Sequence, residues 1–577
     1  SLGFTQTNLS ALGVAGGSGA ARVLLDDFLT RIDAYDQRRD YPAVKGPSYL
    51  SVHLRFGTLS IRELVTLAKQ RDSSGAAVWL SELIWRDFYF MILARHPRVV
   101  HASFRPEYDA IEWAARQPWC NGNIGLLGIS YFAMTQWFVA NLKPPSLKAI
   151  IPWEGAADMY RDFAFHGGIF CFGFVANWYM NHMAHHVLGK PYETNPDTFA
   201  KNWVWHYMRE SLDRGQYRGR QAEWDKLDIP FMSVGNWSGM ALHLRGNTEG
   251  YMLAKSKHKK LRIHSGSHFH PFHAEEARID QLRWFDHWLK NNDTGIMDEP
   301  PVKLQIRTGG NLKGYPFRYE NEWPLARTQW TKLYFDLETK SVSDVPLSGT
   351  LVKSNPAKTG ECTYAATGLG SMGSTSAASA QVMGGGIKPG MGVALVTPPM
   401  AEDMEVTGPL AANLWVSSSS EDMDLFLTLR HFDAEGNEIM ETGQQGTPVP
   451  VAKGWLRVSH RKLDKKLSLP YRPYHTHDDP WPLKPGEPVE LDIEIWPTSI
   501  VVPPGYRIGF SIRGRDYVYP DAPPLKVPGL WYEMTGVGPF VHDEPSDRPM
   551  EIFGAEVTVH FGEGQQPYVL LPVIPRQ

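Results

Sequence analysis

Hydrophobic positions in residues 1–113 recur three and four apart, which is the spacing of an amphipathic α-helix. The pattern runs through Ala20–Tyr35, Thr58–Gln70 and Ala76–His96, and the last of these is long, aromatic and followed by a proline. The alternation of apolar and polar positions that marks a half-buried strand does not occur in this stretch. The first region is therefore predicted to be all-α.

Short apolar runs bounded by Gly, Pro or polar clusters replace this pattern from residue 123 onward, and they are typical of buried parallel strands. Four runs are predicted as strands, at 123–130, 147–153, 229–237 and 260–267. A long aromatic insertion at 159–222 is expected to form a cap, and the helix Glu276–Lys290 is expected to close the region. The second region is therefore predicted to be an α/β domain.

Beyond residue 300 the chain is rich in Pro, Gly, Thr and Val, and stretches such as 489–496 and 506–513 alternate between apolar and polar positions. Turn signals separate these stretches, which predicts an antiparallel β-sandwich or jelly roll. The predicted organisation is multidomain: a helical region at 1–113, an α/β domain at 114–298 and a β domain at 299–577.

Composition narrows the classes of function. The 577 residues carry a net charge of −4, so no basic field points to nucleic acid. No apolar run reaches the ~20 residues of a membrane span. The three cysteines form no CxxC pair, which argues against a disulfide framework and favours a reducing, cytoplasmic compartment. We expect a protein that binds neither nucleic acid nor membrane.

Ser130 stands at the apex of a predicted strand–turn–helix in the segment Gly125–Phe132. A serine there exposes its hydroxyl at the end of a sheet, and the backbone N–H of Tyr131 is free to bind an oxyanion. The segment departs from G-x-S-x-G because position 132 is Phe. The alternative is a serine that only caps the next helix.

Four segments, 109–137, 151–170, 235–251 and 264–272, resemble the cocaine-esterase and X-prolyl dipeptidyl-peptidase group of serine hydrolases. The resemblance covers the chain from about residue 109 to its end. It implies an α/β-hydrolase domain joined to a galactose-binding-like jelly roll. The implied reaction transfers an acyl group from an ester or an X-Pro peptide to Ser130 and then hydrolyses the acyl-enzyme.

His268 is the predicted general base, because it follows the strand 260–267 and comes after Ser130 in chain order, as this fold requires. His270 and His273 lie nearby, and the string H-F-H-P-F-H could also suggest a metal site. No acidic residue belongs to that motif, so no metal is expected.

The acid of the triad is less defined by sequence. Relatives in the resembled group carry an Asp after the strand that matches 229–237, where this chain has Ser238. The end of the preceding strand offers Glu154, which could reach an imidazole from there. Asp158 and Asp162 are alternatives, and Glu154 is the predicted acid.

Residues 2–113 resemble the start of the flavin-binding helical domain of DNA photolyases, through the segments 24–64 and 76–97. The resemblance implies positions that line a flavin: Tyr35, Ser48, Leu50, Ser51 and Trp79. It also implies positions that face damaged bases: Glu82, Trp85 and Arg86. The match ends before the later helices that complete the flavin cavity, so these positions are read as vestigial and no FAD is expected.

The two resemblances meet within 108–113, and each matched region lacks part of the domain that its family normally has. The hydrolase lacks the strands and the early oxyanion loop that normally precede the nucleophile. We therefore predict a truncated sheet, reduced turnover, and cover for the open side of the sheet from the helix 76–96, through Trp79, Leu83, Phe88 and Leu93.

Three functions remain open from sequence. A serine hydrolase that acts on a small ester or a short peptide leads. A flavin-dependent, light-driven DNA-repair protein follows, with FAD as its cofactor. A carbohydrate-binding or scaffold protein is the third, because jelly rolls often only bind. Sequence leaves the oligomeric state undetermined.

Overall fold

The computed structural model describes residues 15–40, 44–100, 106–183, 207–208, 210–215, 217, 219–309, 315–340, 347–366, 392–519, 522–526, 534 and 536–575. The chain divides into two compact units, Ser1–Ala110 and Ile111–Gln577. The division falls inside the short string where the two sequence resemblances meet.

The described part of the first unit is helical, as predicted. Its helices are α1 (Gly17–Leu29), α2 (Tyr35–Arg38), α3 (Ser51–Arg55), α4 (Ile61–Lys69) and α5 (Ser74–Arg95), with 3₁₀ turns at Ile32–Ala34 and Pro97–Val100. The α5 helix starts where the Ser73 side chain accepts a hydrogen bond from the N–H of Ala76, which satisfies one of the free donors of the first turn.

The first unit has its own core, in which the rings of Phe28 and Trp79 lie 4.8 Å apart. Leu83 belongs to the same core. The prediction that Trp79 and Leu83 would cover the hydrolase sheet was therefore wrong, because these side chains are used inside their own unit. Phe88 and Leu93, farther along α5, are exposed.

The second unit begins within helix α6 (Pro106–Ala115) and is built on a mainly parallel sheet of six strands in the described residues. The spatial order of the sheet equals the order of this list: β1 (Ile124–Ile129), β2 (Leu147–Trp153), β5 (Phe231–Asn236), β6 (Lys259–His264), β7 (Val302–Gln305) and β8 (Phe317–Glu320). The first four confirm the predicted strands. No described residue of the first unit joins the sheet, so β1 is an edge strand and the truncated sheet is as expected.

The last two strands of this sheet come from beyond residue 298, where sequence analysis placed the boundary of the α/β domain. Strand β7 continues the parallel order after β6, and β8 returns antiparallel to β7. The sheet therefore has two more strands than the four that the sequence predicted.

Helices and short hairpin strands connect and flank this sheet. They are α7 (Tyr131–Asn141), β3 (Phe165–His166), β4 (Ile169–Phe170), α8 (Phe172–Trp178), α9 (Leu244–Leu253), α10 (His270–His273) and α11 (Glu275–Lys290), with π-helical turns at Met159–Ala164 and Tyr179–Met183. Two apolar layers cover the sheet, one around Trp137 and Phe231 and one around Trp153 and Trp284.

The remaining strands form a large sheet whose pairing is antiparallel except between β10 and β12. The strands in it are β9 (Gln329–Asp336), β10 (Leu347–Val352), β11 (Gly360–Ala365), β12 (Gly392–Val396), β13 (Met404–Ser418), β14 (Asp424–Phe432), β17 (Ala452–Arg457), β18 (Val489–Val502), β19 (Arg507–Arg513), β20 (Glu556–Phe561) and β21 (Tyr568–Ile574). A two-residue pair, β15 (Glu441–Thr442) and β16 (Pro448–Val449), a 3₁₀ turn at Val458–His460 and helix α12 (Met550–Phe553) complete the region.

Strand β21 pairs with both β9 and β13, so this sheet closes on itself into a β-barrel. Its interior is a continuous apolar cluster of alternating side chains, as an inward-facing β surface requires. The prediction of a β-rich domain is confirmed, but its sheet closes into a barrel where a sandwich or jelly roll was expected.

Among the described residues, no helix has both the length and the apolar character needed to cross a membrane.

Candidate active site

Ser130 lies between β1 and α7 in a sharp turn, with φ 62° and ψ −120°. A side chain in this backbone region is strained, and such strain is characteristic of a serine nucleophile on a strand-to-helix turn. Gly128 makes the turn possible, since a Cβ there would lie 2.5 Å from the Cβ of Phe132. The Phe132 ring itself is exposed, which explains why the turn tolerates Phe at the position where the pattern has Gly.

Glu154 follows the next strand, β2, and its backbone also turns through a positive φ of 48°. Its carboxylate is fully buried and lies 2.7 Å from Nδ1 of His268, which therefore carries the proton and donates it. Burial alone would raise the pKa of Glu154, but hydrogen bonds from His264 and His268 outweigh burial and lower this pKa to about 2. Glu154 is thus an anion that holds His268 with its Nε2 free to accept a proton.

The carboxylates of the two alternative acids, Asp158 and Asp162, accept hydrogen bonds from backbone N–H groups. Asp158 accepts hydrogen bonds from the N–H groups of Tyr160 and Arg161, at the start of the π-helical turn. Asp162 accepts hydrogen bonds from the N–H groups of Ala157 and Asp158. These bonds fix the loop after β2, and in the described part of the chain neither carboxylate hydrogen-bonds His268.

Ser238, where relatives in the resembled group carry an Asp, donates a hydrogen bond to the backbone carbonyl of Thr442 at 2.6 Å. In the same way, the backbone N–H of His268 donates to the carbonyl of Gln444 at 2.7 Å. A segment of the β-rich region thus holds two loops of the site. Asn236 adds a bond from its amide to Glu154, at 3.3 Å.

Among the described residues, the Ser130 hydroxyl hydrogen-bonds His243, a residue that the sequence analysis missed. Its Nε2 lies 3.2 Å from the serine Oγ, and its ring stacks on that of His268 with centroids 5.2 Å apart. The expected bond between Ser130 and His268 is absent from the bonds of the described residues. His243 follows the same strand end as the expected Asp, and that position was the one available signal.

The backbone N–H of Tyr131 lies in the first turn of α7, where a helix leaves its N–H groups without intrahelical acceptors. This N–H follows the nucleophile directly, as an oxyanion donor does. The Tyr131 side chain is exposed and has no part in this role.

Of the three histidines considered for a metal, His268 uses Nδ1 on Glu154, whereas His270 and His273 are exposed on α10. A different group, His166, Cys171 and His542, is buried, and its ligand atoms lie within 4.8 Å of one another. Nδ1 of His166 and Nε2 of His542 already hydrogen-bond each other at 2.8 Å, and Nδ1 of His542 lies 3.1 Å from the Asp516 carboxylate. We therefore assign no metal to this group.

The positions matched to a flavin site lie in the first unit, where Tyr35, Leu50 and Trp79 pack into the core. Ser48 accepts a hydrogen bond from the N–H of Leu50 at 3.4 Å, and Ser51 is exposed at the start of α3. Three of the five side chains thus contribute to packing of the unit itself.

A serine at a strained elbow of an α/β sheet, with a histidine and a buried carboxylate at the neighbouring strand ends, defines a serine hydrolase of the α/β-hydrolase class. Comparison with known proteins leads to the same class. Residues 103–270 match the model of the X-Pro dipeptidyl-peptidase (S15 family), and residues 294–527 match that of the X-Pro dipeptidyl-peptidase C-terminal non-catalytic domain.

Curated relatives and solved structures extend the match. A putative serine esterase of Mycobacterium bovis is 27% identical over 72% of this chain and 74% of its own. The cocaine esterase of Rhodococcus is 22% identical over 81% of this chain and 83% of its own. A CocE/NonD family hydrolase from Staphylococcus aureus has a TM-score of 0.67 and 29% identity, over 81% of this chain and 75% of its own. The chain is a serine hydrolase, and from about residue 103 onward it is similar to the CocE/NonD hydrolases and the X-Pro dipeptidyl-peptidases.

The first unit has a different set of relatives. A deoxyribodipyrimidine photo-lyase of Vibrio cholerae is 42% identical over 108 residues, which are 18% of this chain and 22% of that protein. A photo-lyase of Escherichia coli is 40% identical over 101 residues. The chain thus joins a short photolyase-like segment to a longer hydrolase, as the sequence analysis inferred.

Proposed function

We propose that Ser130, His268 and Glu154 form a catalytic triad that hydrolyses a small acyl ester or the bond after an X-Pro dipeptide. The observation that carries this proposal is the 2.7 Å contact of fully buried Glu154 with Nδ1 of His268, beside a serine on a strained elbow. This contact fixes the tautomer of His268 that a general base requires.

In the proposed reaction, Ser130 Oγ attacks the acyl carbon while its proton passes to Nε2 of His268. The Tyr131 N–H binds the oxyanion. His268 then gives the proton to the leaving alcohol or amine, and an acyl-enzyme remains. Water attacks the acyl-enzyme by the same proton path, which releases the acid and restores Ser130. We expect the Ser130 hydroxyl to turn toward His268 in the substrate complex, where catalytic hydrogen bonds commonly tighten.

A fluorophosphonate probe tests the nucleophile. We expect one covalent label on Ser130, located by peptide mass spectrometry, and no label on Ser130→Ala with an unchanged far-UV CD spectrum. Ser238→Ala is the matched control and should keep the label, because its hydroxyl bonds a carbonyl instead of facing His268. A label that moves with Ser238 would overturn the assignment.

The substrate class is tested in parallel with a p-nitrophenyl butyrate ester and an alanyl-prolyl-p-nitroanilide. Hydrolysis of either substrate that disappears in Ser130→Ala supports the proposal and selects the ester or the peptide. If both substrates stay intact while the probe labels Ser130, the acyl group of the natural substrate lies outside these two classes.

A further inference from the structure

His243 is a buried histidine that touches the nucleophile and yet has no part in the triad just proposed. Its side chain is 1% exposed, and its Nε2 lies 3.2 Å from Ser130 Oγ. A histidine at that distance from a serine would ordinarily be taken as the general base. The other ring nitrogen decides whether His243 can have that role.

Nδ1 of His243 accepts a hydrogen bond from the backbone N–H of Ala156 at 3.3 Å. A backbone N–H can only donate, so Nδ1 carries no proton. A neutral imidazole holds its single proton on the other nitrogen, and Nε2 is therefore an N–H that donates to Ser130. In this tautomer Nε2 has no lone pair with which to take the serine proton.

The donor from Ala156 is itself held in place by the loop after β2. The N–H of Gly155 bonds Oδ1 of Asn247 at 3.0 Å, and the side-chain amide of Asn247 bonds the carbonyl of Pro152 at 3.0 Å. An unpaired buried N–H is costly, so the Ala156 N–H keeps its acceptor. Burial and the nearby charge of His268 lower the pKa of His243 to about 3, in the same direction as the geometry.

We propose that His243 is a permanently neutral hydrogen-bond donor to Oγ of Ser130, which stabilises the negative charge that forms on Oγ as its proton leaves. The inference rests on the proposed function of Ser130. As the serine proton passes to Nε2 of His268, negative charge grows on Oγ before its bond to the acyl carbon is complete. A fixed N–H at Oγ stabilises that charge as it forms.

Three variants separate a donor from a base and from a packing residue. His243→Gln keeps an N–H near the position of Nε2 and cannot act as a base, but it loses the acceptor for Ala156. His243→Asn keeps an acceptor near the position of Nδ1 for Ala156 and is too short to reach Ser130. His243→Ala loses both groups.

The kinetic test measures kcat and the rate of fluorophosphonate labelling. We expect His243→Gln to stay within about tenfold of the wild type, and His243→Asn and His243→Ala to lose about 100-fold or more, the size of effect seen when one fixed donor to developing negative charge is removed. Loss in His243→Gln as deep as in His268→Ala would make His243 a base and overturn the inference. Full activity in His243→Asn would show that only the bond to Ala156 matters, which also overturns it.

A second measurement does not depend on activity. Histidine ¹⁵N NMR of the full chain, with His243→Gln to assign the signal, should show a neutral Nε2–H tautomer from pH 8 down to pH 5. An Nδ1–H tautomer, or protonation near pH 6, would refute the inference even if the enzyme is active. If no label forms on Ser130 in the wild type, the proposed function fails, whereas the NMR result still decides the state of His243.

Discussion

His243 and His268 have parallel rings with centroids 5.2 Å apart, yet their partners give them opposite proton patterns. A carboxylate on Nδ1 puts the proton of His268 on that atom, whereas a backbone N–H on Nδ1 removes it from the same atom of His243. Only His268 then has a lone pair on Nε2. At the scale of single residues, the partners of the two Nδ1 atoms therefore favour His268 over His243 as the proposed general base.

Glu154→Gln tests this assignment. The amide keeps the shape of the side chain but removes the anion that stabilises His268 when it carries a second proton, so we expect kcat to fall by about 1000-fold or more. Asp158→Asn is the control, because Asp158 caps a turn, and it should change kcat by less than about tenfold. The measurement is ester hydrolysis at several pH values, with thermal unfolding to confirm folding. A larger loss in Asp158→Asn would show that the acid is misassigned.

Sequence was sufficient to locate Ser130, His268 and Glu154 as candidates, because each follows a strand and parallel strands bring their carboxyl ends to one edge of a sheet. His243 also follows a strand, β5, but a loop separates it from the strand end, so the strand end alone did not single it out. It precedes α9 in a loop with no hydrophobic period, and its contact with Ser130 depends on how that loop folds back. The role of Ser238 was equally hidden, because its partner Thr442 is about 200 residues away.

At the scale of elements, the four predicted strands of the α/β domain are present because each is a short buried run with clear ends. The sequence missed β7 and β8, whose composition is like that of the β-rich region that follows them. It also missed the closure of the barrel, which depends on β21 pairing with β13 at a separation of about 160 residues. Long-range pairing of this kind leaves no periodic signal in either strand.

The helical elements of the first unit carry their own prediction, that the protein holds no FAD. Tyr35, Leu50 and Trp79 are packed into the core of that unit, and the match to the Vibrio cholerae photo-lyase spans 108 residues, only 22% of that protein. A cofactor site commonly buries about 70–90% of its ligand, and one partial wall provides much less. Purified protein should therefore show no absorbance band near 450 nm after gel filtration with added FAD. Stoichiometric FAD in that fraction would contradict the prediction.

At the scale of the whole molecule, the second unit buries several histidines whose pKa values burial lowers. In order along the chain they are His166, His243, His431, His460, His475 and His477. The unfolded chain takes up protons on these residues below about pH 6.5, and the folded chain does not. Stability that is present above pH 6.5 is therefore lost as the pH falls toward the folded values.

Buried carboxyl groups determine the pH range in which the effect of the histidines on stability can be measured. Burial raises the pKa of three carboxyls, Asp162, Asp422 and Glu494, and these stabilise the fold as the pH falls. They are fewer than the six histidines. The pKa of Glu154 is lowered to about 2, so its ionised carboxylate stabilises the fold at neutral pH. That stabilisation is lost only as the pH falls below the ordinary pKa of 4.5. Between pH 6.5 and pH 5 the histidines therefore decide the sign.

We expect the thermal midpoint of the full chain to stay level from pH 8 to pH 7 and to fall between pH 6.5 and pH 5. Each neutral buried histidine contributes up to about 1.4 kcal/mol per pH unit to this loss. His431 isolates one contribution, because its pKa is lowered to about 4 and neither ring nitrogen has a hydrogen-bond partner in the described residues. His431→Leu should remove up to about 2 kcal/mol of the loss at pH 5 without breaking a bond. The control is His270→Gln, because His270 is exposed, and its thermal midpoint should follow that of the wild type at every pH. The midpoints are measured by calorimetry. If His431→Leu shows the same pH dependence as the wild type, buried histidines do not limit acid stability.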